Sequence, residues 1–183
     1  LAVREGDSVM LEKFRIAKAK EIAMMEKLAG QGKMPKPLQG KRLCFTSTLE
    51  AKAPLAVIAE YKRASPSKGD INLNVEPETV AAAYAKSGAG AISVLTDEDY
   101  FKVNLTYLAR MANAGLPLLR KDFILQPLQV DQTAATPASA FLLIVRMLDD
   151  ALLRALIERG RGFNLDAVVE AFDEVDVKRA QAA

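Results

Sequence analysis

The apolar positions of the chain change their period near residue 55. Ahead of it, Leu11, Phe14 and Ala17, and then Ile22, Met25 and Ala29, recur at spacings of three and four. That spacing predicts an amphipathic helix over 10–29, with Lys18 and Glu21 interrupting its stripe. Gly30, Gly32, Pro35 and Pro37 end the helix. Residues 36–54 carry no period and read as a connection, and the basic cluster Lys33, Lys36, Lys41 and Arg42 reads as solvated loop. Beyond residue 55, short apolar runs alternate with helical stretches. The runs are Ala56–Tyr61, Ala91–Leu95, Leu116–Leu119, Ala140–Val145 and Ala167–Glu170. Short and nearly continuous, they predict strands buried on both faces of a parallel sheet. Pro77 and Pro127 suit first helical positions, and Gly88 and Gly160 suit C-terminal caps. Asp149-Asp150 and Asp173-Glu174 place carboxylates in the first turns of two helices, where the helix dipole favours them. Five β–α units result, in an α/β architecture. The expected organisation is an upstream extension over 1–9, ahead of Met10, a helical extension over 10–54 and the β–α units over 55–183.

Composition narrows the chemistry. The chain has 183 residues, half of them apolar, enough for one domain with its own core. Twenty-five Lys and Arg against 23 Asp and Glu leave a net charge of +2, which disfavours a charge-driven nucleic-acid or membrane binder. No apolar run approaches a membrane span, and Leu1 to Met10 has no secretory h-region. A reduced, cytoplasmic protein is expected. Histidine is absent, which excludes Ser–His–Asp and Cys–His catalysis, and one cysteine, Cys44, leaves no zinc cluster. The absence of histidine also removes the commonest metal ligand. Cys44 reads as an inert, partly buried thiol. Acid–base work falls to Lys, Glu, Asp or Tyr.

Two parallel folds compete. A doubly wound sheet usually announces a glycine-rich phosphate loop after its first strand, and this chain has Lys62-Arg63-Ala64-Ser65-Pro66-Ser67-Lys68-Gly69 there instead. A (β/α)8 barrel places polar groups at the C-terminal ends of many strands. The first strand ends Glu60-Tyr61-Lys62, with Glu60 and Lys62 on one face. The third runs into Arg120-Lys121-Asp122, and the fifth ends in Glu170. If the strands are parallel, these ionisable groups meet on one rim as a lysine–carboxylate set. Each alone also reads as an ordinary ion pair, loop start or capping carboxylate; their conjunction is the signal.

The segment Ile58-Ala59-Glu60-Tyr61-Lys62-Arg63-Ala64-Ser65-Pro66-Ser67-Lys68-Gly69 resembles the signature of the indole-3-glycerol phosphate synthase family. Ala91–Asp97, Leu118–Ile124 and Phe141–Val145 agree with it in order and spacing, and Asp166–Glu170 fits the family's fifth strand. The resemblance implies a (β/α)8 TIM barrel with an N-terminal helical extension, here about the first five β–α units. It implies a cofactor-free lyase of tryptophan biosynthesis acting on a phosphorylated small molecule. By the same resemblance, Lys121 is the general acid of ring closure and Glu170 the second acid/base. Glu60 positions the lysine, and Lys62 meets the substrate's anionic groups. Ser65 lies in the substrate loop, Phe101 and Phe123 wall the aromatic ring, and Leu142 lies at the base of that pocket. With five of eight units, the expectation is two open sheet edges, a tendency to self-associate and poor activity of the chain alone.

Overall fold

The computed structural model describes residues 5–183, with side chains from residue 10 onward, so residues 1–4 of the expected upstream extension lie outside the described residues. The first helix, α1, spans Glu5–Gly30, and a short second one, α2, spans Phe45–Glu50. The β–α part follows in the order β1 (Ile58–Tyr61), β2 (Ala64–Ser65), β3 (Gly69–Asp70), α3 (Pro77–Lys86), β4 (Ala91–Leu95), α4 (Glu98–Phe101) and α5 (Thr106–Met111). It continues with β5 (Leu118–Lys121), α6 (Pro127–Ala134), β6 (Ala140–Ile144), α7 (Asp150–Arg161), β7 (Asp166–Glu170) and α8 (Glu174–Ala182).

All the major strands pair in parallel, in the order β1-β4-β5-β6-β7. Each new strand is therefore added beside the one before it. A doubly wound sheet reverses direction at a switch point; this one does not, and the sequential order is that of a barrel wall. β2 and β3 form a small antiparallel hairpin in the loop after β1.

The two faces of the sheet carry different cores. Tyr61, Ile92, Val94 and Leu118 pack outward against Ala81 of α3 and Leu108 and Met111 of α5. Alternation puts Ala91, Leu119 and Ala140 on the inner face, where Phe45 of α2 packs against them. Phe45 is buried and plugs the sheet's N-terminal end. Residues 36–54 are thus not mere connection: a single aromatic, without periodicity around it, opens a short helix there and anchors it to the sheet.

Four further expectations need correction. The third strand runs two residues later than Leu116–Leu119, because Arg120 and Lys121 belong to it. Gly160 does not cap α7; it lies inside the helix, and Gly162 is the C-cap. A Cβ at Gly160 would come within 2.5 Å of Phe141 Cε1, so glycine is required by close approach. Arg42 is not a solvated loop cation: its guanidinium donates to the carbonyls of Thr136 and Ala138 at 2.6 Å each, and to that of Ala134. It ties the connection to the end of α6. Cys44 is exposed rather than partly buried. Among the described residues, no helix is long and apolar enough to cross a membrane.

Candidate active site

The C-terminal ends of the strands form the site. Parallel register sets Glu60 beside Ser93 and Leu95 beside Lys121. Glu60, Lys121 and Glu170 come from the first, third and fifth strands in sheet order, and barrel interiors are layered by alternate strands in this way. Lys121 Nζ lies 3.0 Å from Glu60 Oε2, and Lys62 Nζ lies 2.8 Å from Glu60 Oε1. One carboxylate thus bridges two ammonium groups. Partial burial alone would raise the pKa of Glu60, but hydrogen bonds from Lys62 and Lys121 outweigh it and hold the pKa below the usual glutamate value. Glu60 stays ionised and fixes the direction of the Lys121 ammonium.

A cavity of about 200 Å³ opens beside Lys121. Leu95, Phe101, Phe123 and Leu142 give it apolar walls, and Glu170 lines it together with Lys121. Asp122 also lines it, but its carboxylate is buried against Arg120 and Lys18. An apolar slot with Lys121 and Glu170 on its wall suits a flat aromatic group that must exchange protons. A larger cavity of about 630 Å³ lies at the opposite end, between residues 37–44 and 161–166, where the Asp166 carboxylate accepts from Thr46.

The expected groups meet with two exceptions, Ser65 and Arg120. Lys121, Glu60 and Lys62 bond directly, while Glu170, Phe101, Phe123 and Leu142 share the cavity. Ser65 stands apart on the β2–β3 hairpin, with its Oγ accepting from Lys68 N at 3.2 Å. Arg120 does not join the rim. It points away from the cavity, buried, and donates to Asp122 Oδ2 at 2.9 Å and to Gln129 and Thr133 of α6.

Helix α1 supplies residues that the pattern did not mark for the site. Leu11 and Phe14 close the cavity from above. Phe14 stacks on Phe123 with ring centroids 4.1 Å apart and meets Tyr100 edge-on at 4.8 Å. One turn on, Lys18 is buried among carboxylates: Asp122 Oδ1 at 2.7 Å, Asp97 Oδ2 at 3.0 Å and Glu21 Oε2 at 2.7 Å. Asp97 also caps α4 by accepting from Tyr100 N at 2.9 Å, which orients the helix bearing Phe101. Burial by itself would lower the Lys18 pKa, but the three carboxylates overcome it and raise the value above the lysine norm. Burial alone would likewise raise Asp122, yet Arg120 and Lys18 hold it well below the usual carboxylate range. The residue read as a break in the stripe is the pin that fastens α1 to the rim.

The family model for indole-3-glycerol phosphate synthase matches residues 11–183. A protein of that name from Roseiflexus sp. (strain RS-1) is 46% identical over 143 residues, covering 74% of this chain and 53% of the relative. One from Exiguobacterium sibiricum is 49% identical over 128 residues, 69% of this chain and 50% of the relative. One from Shouchella clausii is 40% identical over 170 residues, 92% of this chain and 64% of the relative. The chain thus spans about half to two thirds of the length of these relatives. The inner-face site at the strand ends, the barrel-type strand order and these matches agree: the chain belongs to the indole-3-glycerol phosphate synthase family, lyases with the (β/α)8 barrel fold.

Proposed function

We propose that this chain supplies the ring-closing part of an indole-3-glycerol phosphate synthase site. The substrate is 1-(2-carboxyphenylamino)-1-deoxyribulose 5-phosphate, and the products are indole-3-glycerol phosphate, CO2 and water. The supporting observation is Lys121 Nζ held 3.0 Å from Glu60 Oε2 at the mouth of an apolar cavity that Glu170 also lines. The aromatic ring occupies the slot of Phe101, Phe123 and Leu142, with Phe14 above it. Lys121 donates a proton to the ketone oxygen as the ring carbon attacks, so the C–C bond forms and the ketone becomes an alcohol. Loss of CO2 returns the electron pair to the ring. Glu170 then moves the proton that accompanies loss of the hydroxyl as water. Lys62 faces the substrate's anionic groups, and Ser65 approaches them if the β2–β3 hairpin folds inward. Positioned acid–base groups contribute about 10²–10⁴-fold each, and enclosure adds orientation. No step requires a metal or cofactor.

A second reading concerns the 183-residue chain by itself: a half-barrel, poorly active, that associates with a second copy or a complementing chain. β1 and β7 are the sheet's outer strands, and exposed Val57, Ile58, Phe172 and Val175 lie at or beside them. The substrate added to the purified chain, with indole fluorescence and light scattering recorded together, separates the two. Product that vanishes in Lys121→Ala supports ring closure by this chain. No product from a folded, associated chain supports the half-barrel.

A further inference from the structure

The inner face of β4 carries a polar group that the chemistry above leaves unused. Ser93 lies between Ala91, which packs on the Phe45 plug, and Leu95, which lines the cavity. It is 4% exposed, and its Oγ is fully buried without a hydrogen-bond partner among the described residues. A buried hydroxyl left so costs stability, and an alanine would fill the same space without that cost. The register fixes its surroundings. Glu60 sits directly across on β1 and Leu119 across on β5. Leu119 offers nothing polar. Glu60 does, since each carboxylate oxygen has spent one acceptor site, Oε1 on Lys62 and Oε2 on Lys121. Lys121 likewise has ammonium protons beyond the one given to Glu60.

We propose that Ser93 and Glu60 form a one-water subsite on the floor of the candidate active site, in which Ser93 is a positioning residue for the Glu60–Lys121 pair. The water accepts from Ser93 Oγ and donates to a Glu60 oxygen. It thereby has the two to four polar partners that buried waters require. Ser93 thus touches no substrate; it holds the carboxylate that holds the lysine. The inference deepens the proposed ring-closing reading but is tested without turnover, so that the two can fail separately.

The test is the titration of the Glu60 carboxyl, followed by carbon NMR in the unaltered chain and in Ser93→Ala, with the resonance assigned by Glu60→Gln. The charged groups facing Glu60 are Lys62 on its own strand and Lys121 on β5; Glu170 lies across the cavity, and the Tyr84 hydroxyl of α3 donates to the Glu60 carbonyl at 2.7 Å. These are the same in both proteins. Loss of one hydrogen bond to a charged group moves the midpoint upward by about one pH unit. Ser93→Ala is also expected to be the less stable protein in urea. An unchanged Glu60 midpoint, with Ser93→Ala equal or more stable, overturns the proposal and leaves Ser93 an orphaned hydroxyl. A crystal structure of the unaltered chain gives an independent reading. Density for a water between Ser93 Oγ and Glu60 supports the subsite; direct apolar packing there contradicts it.

Discussion

Replacing Lys18 by methionine keeps the length of the side chain and removes its charge. Lys18 neutralises Asp97 and Asp122 in a place where neither carboxylate reaches water freely. Removing one partner of a buried ion pair costs about 3–5 kcal/mol, because the other charge is left uncompensated. Asp122 keeps Arg120 at 2.9 Å, so its loss is partial. Among the described residues, Asp97 keeps only the backbone donor of Tyr100 at 2.9 Å and becomes the stranded charge. The expected cost is therefore at the low end, about 3 kcal/mol. Urea unfolding followed by circular dichroism measures it, and hydrogen exchange at residues 11–25 reports whether α1 lifts from the rim. Adding Asp97→Asn removes the stranded charge and should return a large part of the loss. A cost below about 1 kcal/mol, the worth of an exposed pair, would refute the reasoning and make the network a surface feature. The pH dependence has two limbs. The depressed Asp122 contributes stability above the ordinary aspartate range, near pH 4, and loses it as pH falls through its lower folded value. The raised Lys18 contributes below the ordinary lysine range, near pH 10, and loses it as pH rises through its higher folded value. Lys18→Met should flatten the alkaline limb.

Three further outcomes follow from the same geometry. Gly160→Ala drives a methyl into the Phe141 ring, 2.5 Å from Cε1 and 2.8 Å from Cζ, and should cost about 1–3 kcal/mol by urea unfolding. Phe14→Ala removes a buried ring from the Phe123 stack; a stability loss of about 3–5 kcal/mol is expected, together with a weaker KM for an aromatic substrate. Glu60→Gln frees Lys121 without removing it, so kcat in a complete barrel should fall by about 10²-fold, the low end for one positioned acid–base group. Because Glu60 ionises below the usual glutamate range, the acid limb of the unaltered protein should lie below that range, and Glu60→Gln should abolish it.

The strands were legible because burial leaves a continuous apolar run, and each of the five runs contains a strand; only β4 and β6 are buried along their whole length, while the outer strands β1 and β7 are partly exposed. The third was misplaced at its end because charge normally marks an exit from the sheet. Arg120 remains inside because Asp122, Thr133 and the Gln129 carbonyl satisfy its guanidinium. The Glu60–Lys62–Lys121 group could be read from two-residue alternation and parallel pairing. What could not be read were contacts between distant segments. Phe45 plugs the sheet from an aperiodic stretch, and Arg42 finds its carbonyls some ninety residues away. Lys18 left a usable sign. It falls on the same helical stripe as Phe14 and Met25, both buried, so a cation there implied buried carboxylates elsewhere. Nothing in the chain order says that these would be Asp97 and Asp122.

The claim that matters most is that Lys121, oriented by Glu60, closes the indole ring. The direct test is a complete family barrel in which residues 11–183 of this chain replace the matching part of a relative. Steady-state turnover of the carboxyphenylamino-deoxyribulose phosphate would be followed by indole fluorescence, with Lys121→Ala and Glu170→Gln beside it. The account predicts turnover in the chimera, at least about 10²-fold less without Lys121, and a product-forming step impaired without Glu170. Undiminished turnover in the folded Lys121→Ala chimera would contradict it.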